Sequence, residues 1–245
     1  DAAVQALSAG SDVDMVSGLF SEHLPAIAAR DSAAAAALRE AARRVVSVKF
    51  QLGLFERPYA ARAQKVDRAP HKALAREAAA RGAVLLTNPA SALPLAEGAS
   101  LAVVGPLAGA RAELLGTWTL DGIPSEVTPI AEALRATHPV VTAPWDQAAA
   151  VAAAVASADV AVAVVGEGPH LSGEAHSLAD PALPADQLAL LDALLAAPPP
   201  GGVVLVVISG RPLVLPEAVE ACAAVLWTYH PGSEGGLGLA DVLTG

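Results

Sequence analysis

Two runs, "DVAVAVVG" (159–166) and "GVVLVVIS" (202–209), carry no polar side chain except at their ends. Side chains alternate between the faces of a strand, so a run that is apolar at every position needs cover on both faces. Shorter runs of the same kind are "AVLLT" (83–87), "SLAVVGP" (100–106), "PVVTA" (139–143) and "AAVLWTY" (223–229). Between them lie the helix-like segments "HKALAREAAARG", "TPIAEALRAT", "DQAAAVAAAVASA" and "PALPADQLALLDALL". Strands alternating with helices indicate an α/β domain from about residue 70 to 245, doubly wound around a mostly parallel sheet whose strands are expected to be buried on both faces.

The segment 1–57 reads differently. In "DSAAAAALREAARRVVSVKFQLGLFE", Asp31 or Ser32 can cap a helix, and Gly53 can end it. Its apolar positions Leu38, Ala41, Ala42, Val45, Val48 and Leu52 recur at three- and four-residue spacing. Little else in this segment offers a partner surface, so that face is expected to dock on the following domain or on something absent. The polar, proline-containing stretch around 58–70 reads as a linker.

Bulk properties exclude several functions. A hydrophobic content of 54% over 245 residues supports a real core. A net charge of −10 without a long Lys/Arg cluster argues against nucleic acid. Arg39, Arg43 and Arg44 sit beside Glu40 at helical spacing and read as a solvated helix face. The single cysteine, Cys222, permits neither an internal disulfide nor a multi-thiolate metal site, and it is expected to pack beside a buried strand. Every apolar run is interrupted before membrane-spanning length, so no membrane partner is expected. The segment "DAAVQALSAG" has neither Met nor a signal-peptide pattern, which suggests a start inside a longer protein.

In doubly wound sheets ligands gather beyond the carboxyl ends of the strands. Four loops qualify: "GPLAGARAELLGTWTLDG", "GEGPHLSGEAHS", "SGRP" and "HPGSEGG". Gly166, Gly168 and Gly173 invite a nucleotide reading, but Pro169 and a polar stretch separate them from the next helix and no Walker-type lysine follows. The alternative is acid/base chemistry at Glu174 in "SGEAHS". A carboxylic acid set partly out of water can protonate a leaving oxygen, although a glutamate in a Ser/Gly loop is more often simply solvated. His170, His176 and His230 lie on these loops without ligand-like helical spacing, and no metal or cofactor is expected.

Ten stretches in order resemble glycoside hydrolase family 3, the β-glucosidase and β-xylosidase family. They include "ALSAGSDVDM" (6–15), "ARRVVSVKFQLGLFERPY" (42–59), "LAVVGPLA" (101–108), "LLGTWTLDG" (114–122), "VVGEGPHLSGEAHS" (164–177), "VVLVVISGRPLVL" (203–215) and "WTYHPGSEGGLGLADVLTG" (227–245). The resemblance implies that residues 1–57 are the end of a (β/α)8-type barrel and that 71–245 are a six-stranded α/β sandwich. It also implies that the nucleophilic aspartate lies upstream, with no counterpart in this sequence. Glu174 then becomes the acid/base residue of a retaining, exo-acting β-glucosidase-like hydrolase, a role that needs the partner carboxylate about 5 Å away. The implied partners are a β-glucoside or oligosaccharide and the missing barrel, and the implied compartment is periplasmic or secreted, with a cytoplasmic one left open.

Other positions take roles from the same resemblance. Trp118 would stack on sugar or plug an interdomain seam. Met15 would sit near the sugar at the end of the last barrel strand, or be an ordinary core methionine. His176 would orient Glu174 or touch substrate, Glu167 would hydrogen-bond the loop, and Arg211 would brace a loop through carbonyls or a carboxylate. Thr87 and Leu178 stand where family sequences often carry Lys and Arg. The rival reading is a non-catalytic carbohydrate-binding or structural module.

Overall fold

A computed structural model describes residues 2–59 and 66–245, so the linker expected at 58–70 falls partly outside the described residues. The chain divides at Val66/Asp67 into two compact units. The first holds helices α1 (Ala2–Ser8), α2 (Leu19–Ala28) and α3 (Ser32–Gln51). Asp31 caps α3, as its residue type allows. Its carboxylate accepts the N–H groups of Ala33 at 2.9 Å and Ala34 at 3.2 Å. The core here is small: Ala3, Leu7, Leu24 and Ala41. Of the apolar face read from the sequence, Leu38 and Ala41 pack into that core, whereas Val48 and Leu52 are exposed.

The second unit is built on a six-stranded sheet. Its strands are β1 (Val84–Thr87), β2 (Leu101–Val104), β3 (Val140–Val141), β4 (Val160–Gly166), β5 (Val203–Ile208) and β6 (Ala224–Thr228), in spatial order β1-β6-β5-β4-β2-β3. The helices are α4 (Ala69–Gly82), α5 (Ala112–Leu115), α6 (Ile130–Leu134), α7 (Ala148–Ala156), α8 (Ala185–Ala196) and α9 (Gly235–Thr244). Period-two alternation sends Val162, Val164, Val204, Val206 and Ile208 to one face, against α6 and α9. Ala161, Ala163, Val165, Val203, Leu205 and Val207 go to the other face, against α7 and α8. Cys222 joins this second core, where burial pushes its thiol up to about 11.

One expectation fails at an edge. The apolar run at 83–87 forms β1, but β1 pairs antiparallel with β6 and leaves Val84, Leu85 and Leu86 46%, 50% and 53% exposed. An edge strand is flanked on one side only, so an apolar sequence there does not by itself secure burial. The run at 139–143 shortens to the two residues of β3 at the opposite edge.

The chain leaves β2 toward β3 in one direction and then crosses back to build β4, β5 and β6 on the other side. The order therefore reverses between β2 and β4, and the loops that follow these two strands flank the crevice in which such sheets bind ligands. These loops carry Trp118 and Glu174, respectively.

Candidate active site

The carboxyl end of β4 is held by polar groups, unlike the strand itself. Gly166 donates its N–H to Gln187 Oε1 and accepts from Gln187 Nε2, both at 2.8 Å, so the α8 side chain mimics a neighbouring peptide. The next residue, Glu167, is 2% exposed. Its N–H continues the ladder to the Ile208 carbonyl at 2.8 Å. Both carboxylate oxygens are used. Arg211 donates from Nε at 2.9 Å and from its terminal nitrogen at 2.6 Å, and the fully buried Ser209 hydroxyl donates at 3.2 Å. A planar guanidinium meeting a carboxylate through two parallel bonds is the strongest ion-pair geometry available to side chains. Of the two braces read for Arg211, the structure shows the carboxylate.

The other two loops join this seam. His230, on the loop after β6, contacts the carbonyl of Glu113 through Nδ1 at 3.2 Å. A carbonyl only accepts, so Nδ1 carries the proton and Nε2 presents a lone pair, which is buried without a partner among the described residues. His230 is thus a half-buried brace and not a free loop residue. Gly210 leaves the room this packing needs: a Cβ there would stand 2.1 Å from Ser172 Oγ and 2.5 Å from His230 Nε2. Thr117 completes the seam, its hydroxyl lying 3.2 Å from the Pro169 carbonyl and 3.3 Å from both the carbonyl and the hydroxyl of Ser172.

Above the seam the chain makes a tight turn. The Gly173 carbonyl accepts the His176 N–H at 3.3 Å, with Glu174 and Ala175 at the tip. Gly173 has φ of 98° and Ala175 has φ of 62°. Ordinary residues avoid such left-handed values. A positive φ at the third turn position is normally assigned to Gly or Asn, so Ala175 carries backbone strain on the order of 1 kcal/mol. The result is a carboxyl group held out from the loop. Glu174 is exposed, and it makes no hydrogen bond or ion pair among the described residues. The partial burial expected for an acid is therefore not supplied within this unit.

The remaining expected residues are distributed as follows. Trp118 is 70% exposed, one residue beyond Thr117, and the loops bearing Trp118 and Glu174 are joined. His176 is exposed at the foot of the turn. Met15 belongs to the first unit and is 90% exposed, so it is not a core methionine of that unit. Thr117, Ser172, Ser209 and Gln187 escaped sequence reasoning, because hydroxyl and amide residues in loops and on helices carry no pattern that distinguishes a brace from a solvated group.

Two outcomes follow from this geometry. Arg211→Met strands a buried carboxylate, so the melting temperature of the chain should fall by roughly 6 °C or more, and adding Glu167→Gln should recover part of the loss. A change below about 1 °C in a thermal melt would contradict the ion pair's role. Burial holds His230 below the ordinary histidine pKa, the bond to Glu113 opposing that shift. The unfolded chain then binds the proton first, so this contribution to stability is complete above about pH 6.5 and is lost as pH falls toward the folded value. Melts from about pH 7.5 down to about 5.5 should show the wild type losing stability relative to His230→Gln, and parallel curves would contradict it.

Comparison with known proteins identifies the family. Residues 83–245 match the family model described as the glycosyl hydrolase family 3 C-terminal domain. The chain is 32% identical to the periplasmic beta-glucosidase of Salmonella typhimurium over its whole length, covering 37% of that protein. It is 35% identical to beta-D-xylosidase 3 of Arabidopsis thaliana, with 72% of this chain and 24% of the relative covered. The crystal structure of beta-glucosidase from Listeria innocua in complex with isofagomine superposes with a TM-score of 0.89 at 33% identity, covering 100% of this chain and 36% of that one. The chain thus spans little more than a third of the length of the two β-glucosidases. With the family model covering most of the sandwich and the mostly parallel six-stranded sheet matching that domain, the chain belongs to glycosyl hydrolase family 3.

Proposed function

We propose that this chain supplies the acid/base residue, Glu174, of a retaining, exo-acting β-glucosidase-like hydrolase, as part of a longer enzyme whose barrel carries the nucleophilic carboxylate. The observation that carries this reading is the Glu174 turn, a strained tip at the crevice between β2 and β4 whose carboxyl group has no partner among the described residues. Sequence similarity to enzymes named as β-glucosidases supports it, and the periplasmic relative favours a periplasmic or secreted setting.

In the first half-reaction the protonated Glu174 carboxyl donates its proton to the glycosidic oxygen as the C1–O bond breaks. The nucleophilic carboxylate of the barrel simultaneously forms a bond to C1. In the second, the Glu174 carboxylate takes a proton from water, whose oxygen attacks C1 and displaces the enzyme carboxylate, returning both groups to their starting states. The barrel is expected to complete the desolvation that the second unit leaves undone. Trp118 offers an aromatic face to the sugar, and His176 flanks the acid.

The 245-residue chain alone should hydrolyse aryl β-glucosides no faster than buffer, because half of the carboxylate pair is absent. In the longer enzyme, Glu174→Ala should slow alkyl β-glucosides by about 10²- to 10⁴-fold and 2,4-dinitrophenyl β-glucoside far less, with azide accelerating the latter. Equal losses on both substrates without azide rescue would remove the proton-donor role. Binding of glucose or gluconolactone with no turnover in the longer protein would favour a non-catalytic module.

A further inference from the structure

Ser172 is 4% exposed, and among the described residues its hydroxyl has one side-chain partner, Thr117 Oγ1 at 3.3 Å. A threonine hydroxyl has one hydrogen and can also accept. It can therefore receive the Ser172 proton while sharing its own between the carbonyls of Pro169 at 3.2 Å and Ser172 at 3.3 Å. On the other side of the same side chain, a Cβ on residue 173 would lie 2.4 Å from Thr117 Cγ2, so the methyl fills the space that glycine leaves at the entrance to the turn. Hydroxyl and methyl together grip the loop immediately before Glu174.

Thr117 is also the residue before Trp118, and Thr119 on the far side of the tryptophan is anchored by hydrogen bonds to Leu115 O at 2.9 Å and Gly116 O at 3.2 Å. Trp118 therefore projects from a backbone tied down on both flanks. A displacement of the loop after β2 would be passed through Thr117 to the turn that holds Glu174, and the reverse.

We infer that Thr117 is a positioning residue for the proposed reaction, setting the placement of the Glu174 carboxyl relative to the Trp118 ring through its hydroxyl contacts with Pro169 and Ser172. This inference rests on the acid/base reading of Glu174. Its signature is selective, because a misplaced acid impairs only the step in which a proton must reach the leaving oxygen.

The test compares Thr117→Val, which keeps the shape and removes the hydroxyl, with Thr117→Ser, which keeps the hydroxyl, in the longer enzyme. Thr117→Val is expected to lower kcat/KM for methyl β-glucoside by roughly 10- to 100-fold and that for 2,4-dinitrophenyl β-glucoside by less than about 3-fold, with Thr117→Ser retaining most of the alkyl activity. Equal losses on the two substrates, or a serine variant as impaired as the valine one, would overturn the positioning role. If the valine variant of the longer enzyme does not fold, hydrogen exchange on the 245-residue chain decides: faster exchange at residues 172–176 in Thr117→Val but not in Thr117→Ser is required, and unchanged exchange refutes the grip. The Glu174→Ala kinetics separate the two levels, since loss of the leaving-group dependence there would remove the acid/base reading whatever Thr117 does.

Discussion

The carboxylate of Glu167, buried at the end of β4 and held by Arg211 and Ser209, is the constraint on which the rest of this unit depends. The reason lies in the strands. β5 reads Val-Val-Leu-Val-Val-Ile, with side chains of similar size on both faces and every position buried. Sliding a strand by one residue exchanges its faces, a costly error when one face is polar and a cheap one when both are apolar. Burying each of these side chains is worth about 1.5–3 kcal/mol, but a slipped strand would recover most of it. Register must therefore be specified by groups that tolerate only one arrangement. The Glu167–Arg211 pair and the Gln187 amide on Gly166 are such groups, since a slip would leave a buried charge and peptide groups unpaired.

The same seam sets out the site. Strand ends aligned by these polar contacts fix where the four loops begin, and Thr117 and His230 then tie the loops to one another. Upon this base a short turn with two left-handed residues lifts Glu174 clear of any partner among the described residues. The division of labour is clear in the chemistry of the two glutamates. Glu167 is buried and fully bonded, which suits a brace, whereas Glu174 is exposed and unbonded within its unit, which suits a group that must meet something outside it.

Much of the architecture was legible because uninterrupted apolar runs between amphipathic segments leave few alternatives to a covered parallel sheet. The helix cap at Asp31, the inner strands and the loops at their carboxyl ends all follow from local patterns. What escaped reading was contextual. The exposure of Leu85 and Leu86 depends on β1 lying at an edge, which a short apolar string does not disclose. Arg211 offered carbonyls or a carboxylate equally well until the fold placed Glu167 within 2.6 Å of it, 44 residues away in the chain. Thr117 and Ser172 are 55 residues apart and chemically ordinary in sequence, yet they join the two loops that matter most. Glu174 comes into view through family resemblance, which calls for a partly buried acid; within its own unit the group stands in solvent.

The central claim, that Glu174 delivers a proton to the leaving oxygen, is tested most directly by a crystal structure of the longer enzyme with a thio-linked disaccharide that resists hydrolysis. The account predicts a Glu174 carboxyl oxygen about 3 Å from the bridging sulfur. A separation beyond roughly 6 Å, with a different carboxyl group at that position, would contradict it.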